Sequence, residues 1–165
     1  MKKNFKISII VNCHNGGKYL SRCLKSIINQ TKKNWEVVFF DNQSTDDSKK
    51  IFEKFKDYRF KYFLSSKFIK LYKARNEAIK KATGDFLAFL DCDDWWESNH
   101  LENANFFYEN NQYKLYFSNA FNYLETSSSN ASARETNTDF GTIVDSAGNT
   151  AGSQHAIQAV GQFLP

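Results

Sequence analysis

The sequence predicts an α/β fold: an open, mostly parallel sheet with helices on both faces. Two observations carry the prediction. From Lys6 to about Phe117, short apolar runs alternate with segments of helical periodicity, the order that builds right-handed βαβ units. The run Phe86-Leu87-Ala88-Phe89-Leu90 is apolar at every position, as suits a strand covered on both faces in the middle of a parallel sheet.

The first strand is Ile7 to Val11. After the turn Asn15-Gly16-Gly17, residues Leu20, Cys23, Leu24, Ile27 and Ile28 recur at helical spacing and place one apolar stripe on the sheet. The second strand runs from Trp35 to Phe40. It ends in Asp41 to Ser48, a turn rich in helix-capping side chains, in which Ser44 or Thr45 is expected to cap a helix marked by Ile51, Phe52 and Phe55. Phe60 to Leu64 reads as a third strand, and Leu71 to Ala82 as a helix that Gly84 closes. Phe86 to Leu90 is the fourth strand. Asn99 and Glu102 stand at capping-box spacing before Ala104, Phe107 and Tyr108, and Tyr113 to Phe117 is a fifth strand. In this order Asn12, Asp41, Ser65, Asp91 and Ser118 lie along one edge of the sheet, where such folds bind ligands.

A chain of 165 residues, 41 % of them hydrophobic, suffices for one domain with a proper core. No stretch approaches the ~18 apolar residues of a membrane span. Met1 to Phe5 runs straight into a strand rather than a signal sequence, so the expected location is the cytoplasm. Cys13, Cys23 and Cys92 are odd in number and lack metal-type spacing, which fits reduced thiols. Residues 1–125 hold 21 Lys+Arg against 15 Asp+Glu, while residues 126–165 hold one against three. The lysines are scattered along solvated helix faces, so nucleic acid is not an expected partner. An anionic membrane surface, contacted peripherally at its inner face, or an acidic substrate is the second use of that charge.

Residue usage changes at about Thr126, where a Ser/Ala-rich linker begins. The expected organisation is therefore a domain over 1–125 and a tail over 126–165. The tail is either foreign sequence attached after a truncation or a natural flexible extension. Ala156, Ile157, Ala159, Val160 and Phe163 would suit one short amphipathic helix.

The chemistry concentrates at Asp91-Cys92-Asp93-Asp94, directly after the fourth strand. Three carboxylates within four residues repel one another, and a divalent cation sharing oxygen ligands with a substrate's phosphates would relieve that repulsion. An acidic turn in water is the simpler reading, but Trp95 and Trp96 follow at once and are an odd choice for a plain loop.

Four segments, in order, resemble the nucleotide-binding half of the family 2 glycosyltransferases, enzymes with the Rossmann-like GT-A fold. They are ISIIVNCHNGGKYL from Ile7, CLKSIINQT from Cys23, FFDNQSTD from Phe39 and ARNEAIKKATGDFLAFLDCDDWW from Ala74. The last is similar to the family's Ala-Arg-Asn helix and Asp-x-Asp motif. The sequence departs at Asn42, which stands where a second acid is common, and at Asn12 and His14.

The resemblance implies transfer of a sugar from a nucleotide-diphosphate donor, a UDP-sugar in the first place, to a hydroxyl of a saccharide or lipid-linked saccharide acceptor. It implies inversion at the anomeric carbon, dependence on Mn²⁺ or Mg²⁺, and a role in bacterial surface polysaccharide synthesis. Asp93 would ligate the metal, and Asp91 would share it or hold the ribose hydroxyls. Asp41 and Asn42 would hydrogen-bond the base, and Arg75 a phosphate or the base. Asn12, His14, Asn15 and Cys92 would line the donor site, with His14 as packing or polar lining. Trp95 and Trp96 would stack on a sugar, or at least one would be core. The resemblance places the catalytic carboxylate in a later acidic motif, to which no residue after Glu125 is assigned, so the catalytic base is unknown. A non-catalytic nucleotide-sugar-binding or interaction domain derived from such an enzyme is the alternative. An unrelated flavodoxin-like or response-regulator-like protein, whose acidic strand ends also bind Mg²⁺, is a third.

Overall fold

The computed structural model describes residues 5–111, 115–117, 122–123, 133–134 and 159–162, with side chains described for residues 5–106. Its elements in chain order are β1 (Ile7–Cys13), α1 (Gly17–Ile28), β2 (Trp35–Asp41), α2 (Ser48–Phe52), β3 (Phe60–Leu64) and α3 (Leu71–Ile79). They continue as β4 (Phe86–Phe89), α4 (His100–Asn111), β5 (Leu115–Phe117), β6 (Asn122–Tyr123), β7 (Ala133–Arg134) and β8 (Ala159–Gln162). The main sheet has the order β3-β2-β1-β4-β8-β5. Its pairs β1–β2, β1–β4 and β2–β3 are parallel, and β8 runs antiparallel to both β4 and β5.

Alternation along the strands sorts the core into two layers. Ile7, Ile9, Val11 and Cys13 of β1, with Trp35, Val37 and Phe39 of β2, pack with Leu20, Cys23, Leu24 and Ile27 of α1, Phe52 of α2 and Leu101 and Ala104 of α4. On the opposite face Ile10, Val38 and Phe40 meet Ala74 and Ala78 of α3. Small residues there let α3 approach the sheet closely. Leu20, Leu24 and Ile27 are wholly buried, each stabilising the fold by about 2 kcal/mol. The helices thus lie on both faces, as the pattern predicts.

Glu36 of β2, with a side chain only 2 % exposed, is a buried charge in this apolar setting. Its carboxylate accepts from Lys6 Nζ at 2.7 Å, Lys61 Nζ at 2.7 Å, Ser8 Oγ at 2.6 Å and Thr83 N at 2.7 Å. It therefore latches β1, β2, β3 and the segment leading into β4 at one end of the sheet. Burial opposes its charge, but these bonds outweigh burial and hold the carboxyl well below the usual range.

Several expectations are corrected. The helix expected to reach Ala82 ends at Ile79, and Gly84 is not its cap. Gly84 donates to Ser8 Oγ at 2.8 Å, and a Cβ there would meet Ser8 N at 2.7 Å, so glycine is needed for backbone approach. Phe55 falls after α2, and neither Ser44 nor Thr45 caps it. The N-cap is Asp47, and Asp46 supplies the carboxylate that receives Ser48 N at 3.0 Å. The amphipathic helix expected around Ala159 is contradicted: Ala159–Gln162 is a strand. Its backbone bonds to β4 on one side and β5 on the other satisfy edges that a helix would leave unpaired. Ala156, Ile157, Phe163, Ser118, Tyr113 and most of the linker lie outside the described residues.

Candidate functional site

Strand order reverses between β1 and β4: β1 leads to β2 on one side of itself, and the chain returns through α3 to β4 on the other. The crevice beyond the carboxyl ends of such a pair is the expected binding site. Asn12, Asp41, Ser65 and Asp91 come together at this edge, since Cys13 pairs with Asp41, Ser65 N bonds Asp41 O at 2.8 Å and Leu90 N bonds Ile10 O at 3.1 Å.

The loops after β1 and β4 touch. A Cβ on Gly16 would stand 2.6 Å from Cys92 Sγ and 3.0 Å from Cys13 Sγ, so only glycine lets the two loops close over the sulfurs. The contact with Cys92, aided by Ser48, Gly16 and Ser44, outweighs burial and lowers the Cys13 thiol below the usual range. The same contact, with burial, pushes the Cys92 thiol up. All three cysteines are free thiols. The pairing of Cys13 with Cys92 was hidden in the sequence, where the two lie far apart and read as filler.

At the tip of β4 the turn Asp91 to Asp94 is closed by Asp94 N on Asp91 O at 3.0 Å. Asp91 Oδ1 accepts from Arg75 Nη2 at 2.6 Å, so α3 holds one carboxylate in place. Asp93 is exposed, and its carboxylate makes no hydrogen bond or ion pair among the described residues. Cys23 donates to Asp91 O at 3.7 Å from below. Trp96 is core, 5 % exposed and stacked on His100 at 4.5 Å. Trp95 is half-buried with the Arg22 guanidinium 3.3 Å from its ring centre, so one face is already covered. Burial lowers His100 to about 4.

Asp41 is buried and accepts from Ser44 N at 2.7 Å and Tyr62 Oη at 2.6 Å, which leaves lone pairs for a further donor. Burial and this bond push the Tyr62 phenol upward. Asn42 uses both ends of its amide on one residue: Nδ2 donates to Ile69 O at 2.7 Å and Oδ1 accepts from Ile69 N at 3.0 Å. Its side chain thus clamps the loop between β3 and α3. His14 Nδ1 donates to Asn42 O at 2.9 Å, which puts its proton on that nitrogen, and its ring lies 4.7 Å from Phe68. Asn15 has φ 56° and accepts from Thr45 N at 2.8 Å, tying the β1 loop to the β2 loop. Asn12 is 8 % exposed, and among the described residues its Nδ2 has no hydrogen-bond partner.

Gln30, wholly buried, had no assigned role from sequence. It donates to Glu97 O at 2.7 Å and accepts from Leu101 N at 3.0 Å, fastening the end of α1 to the chain that leaves the acidic loop.

Among the described residues no group of three or more His, Cys, Asp or Glu could hold a metal. Asp91 and Asp93 still suit a hard cation, because Mg²⁺ and Mn²⁺ commonly take one or two carboxylates and complete their shell with phosphate oxygens and water.

The family model for Glycosyl transferase family 2 matches residues 8–159. The chain belongs to that family. It is 38 % identical over 100 residues to the UDP-Glc:alpha-D-GlcNAc-diphosphoundecaprenol beta-1,3-glucosyltransferase WfgD of Escherichia coli, a match covering 60 % of this chain and 39 % of that protein. It is 31 % identical to the putative teichuronic acid biosynthesis glycosyltransferase TuaG of Bacillus subtilis over 58 % of this chain and 39 % of that protein. Residues 1–349 of S. aureus TarS in complex with UDP-GlcNAc superpose with a TM-score of 0.63 at 31 % identity, covering 67 % of this chain and 33 % of that one. The fold is thus the Rossmann-like GT-A sheet of TarS. The chain spans less than half the length of these relatives.

Proposed function

We propose that this chain forms the donor-binding unit of a divalent-metal-dependent, inverting glycosyltransferase that takes a UDP-sugar and transfers its sugar to a saccharide or lipid-linked saccharide hydroxyl. The observation that carries this reading is the pair of carboxylates at the switch-point crevice: Asp91 fixed by Arg75, and Asp93 held out at the tip. The UDP-sugars and the teichuronic acid biosynthesis in the relatives' names support UDP as the nucleotide and bacterial polysaccharide synthesis as the setting.

Asp41, steadied by Tyr62 and Ser44, would accept from a ring N–H of the base. His14, bonded to Asn42 O, would line the same part of the site. Asn12 Nδ2 would donate to a ribose or phosphate oxygen, recovering the ~1–3 kcal/mol that an unpaired buried donor costs. Arg75 would share its guanidinium between Asp91 and a phosphate. A cation held by Asp93 and Asp91 would offset the negative charge that develops on the departing diphosphate. The acceptor hydroxyl, losing its proton to a carboxylate base, attacks the anomeric carbon opposite the departing UDP, which inverts the configuration.

Release of UDP from a UDP-sugar in the presence of Mn²⁺, compared between the wild type and Asp93→Ala, tests this reading. Slow hydrolysis that Asp93→Ala abolishes is expected. Donor binding without any hydrolysis would favour the non-catalytic domain.

A further inference from the structure

The segment between Asp57 and Glu77 contains six Lys and Arg and no acid. Three of the six are spoken for: Arg59 by Asp57, Lys61 by Glu36 and Arg75 by Asp91. Lys67, Lys70 and Lys73 are exposed, and their ammonium groups make no hydrogen bond or ion pair among the described residues. Within it, the shorter run from Leu64 to Tyr72 exposes four large apolar side chains, Leu64 at 57 %, Phe68 at 61 %, Leu71 at 52 % and Tyr72 at 58 %. Single exposed apolar residues need no explanation, but four within nine positions do.

This loop is not slack. Asn42 holds Ile69 at both backbone atoms, Ser65 N bonds Asp41 O at 2.8 Å, Ser65 Oγ bonds Lys67 O at 2.6 Å and Gln43 Nε2 bonds Ser65 O. The clamps leave Phe68, Leu71 and Tyr72 facing water at the corner of the sheet beyond edge strand β3. A firmly held loop that combines exposed apolar side chains with unpaired cations has the make-up of an interfacial anchor.

We propose that the segment from Leu64 to Lys73 docks the protein on an anionic lipid bilayer, the apolar side chains entering the headgroup boundary and Lys67, Lys70 and Lys73 meeting lipid phosphates. The proposal rests on the donor-site reading only for its purpose: a lipid-carried acceptor lies at that surface, beside the crevice that Arg75 and Asp91 line.

Co-sedimentation of the 165-residue chain with phosphatidylglycerol/phosphatidylcholine vesicles and with phosphatidylcholine vesicles tests it without any variant. Binding to the anionic vesicles alone, weakened by salt, is expected. Replacing all three lysines (Lys67→Glu, Lys70→Glu and Lys73→Glu) should lower partitioning roughly a hundredfold or more. Leu71→Ser with Tyr72→Ser should lower it at low and high salt alike. UDP titration of the same variants reports the donor site separately, so a failed donor reading is distinguishable from a failed membrane reading. Equal partitioning onto both vesicle types, none onto either, or a dimer that the Leu71→Ser/Tyr72→Ser pair dissociates would overturn the proposal.

Discussion

Glu36→Gln tests whether the buried latch of the sheet depends on charge. Gln keeps the shape, and its carbonyl can still accept from Ser8 Oγ and Thr83 N. Its amide nitrogen, however, would face Lys6 Nζ and Lys61 Nζ, both of which donate to Glu36 Oε2 at 2.7 Å. Two charge-assisted bonds are lost, each worth about 1.5–3 kcal/mol when buried. The lysines are 35 % and 40 % exposed and return to water, so the net loss is smaller, roughly 2–3 kcal/mol in all. In urea unfolding that corresponds to a midpoint lower by roughly 1–2 M. The pH dependence is a sharper test. Because the folded carboxyl sits below its ordinary value of 4.5, its stabilisation is complete above that pH and is lost as pH falls toward the folded value. The gap between wild type and Glu36→Gln should therefore narrow below pH 4.5 by about 1.4 kcal/mol per unit. A gap that stays constant from pH 7 to pH 3 would refute the electrostatic account, as would a variant as stable as the wild type at pH 7.

Three further substitutions separate fold from site. Gly84→Ala drives a Cβ into the backbone of Ser8 and Lys6 and should cost about 3 kcal/mol in denaturant unfolding, with UDP affinity of the folded fraction unchanged. Gly16→Ala instead presses on Cys92 and Cys13, so calorimetry should show UDP affinity falling about tenfold for a stability loss of about 1–2 kcal/mol. Asn12→Ala removes an amide donor that has no partner among the described residues, and should weaken UDP binding about tenfold while leaving the unfolding midpoint unchanged or raised.

The sheet was legible because its strands are apolar runs and its helices carry clear stripes, signals that need only local sequence. Strand β8 was not: Ala159-Val160-Gly161-Gln162 carries little alternation, and its partners lie more than forty residues away in sequence. Glu36 was missed for a similar reason, since one polar residue in a strand does not announce the donors that Lys6, Ser8, Lys61 and Thr83 bring to it. In the site, the edge formed by Asn12, Asp41 and Asp91 followed from strand order alone. The use of Asn42 did not: sequence offers an amide beside Asp41, and only the fold shows that both its ends clamp Ile69. The closeness of Cys13 and Cys92 likewise depends on β1 and β4 being neighbours.

Asp91 and Asp93 are proposed to make a metal-dependent site for a nucleoside diphosphate. Calorimetric titration of UDP into the chain, with and without Mn²⁺ and alongside Asp93→Ala, tests it most directly. Saturable binding that needs both Mn²⁺ and Asp93 is the predicted result. Binding of equal strength without the metal, or to Asp93→Ala, would contradict the account.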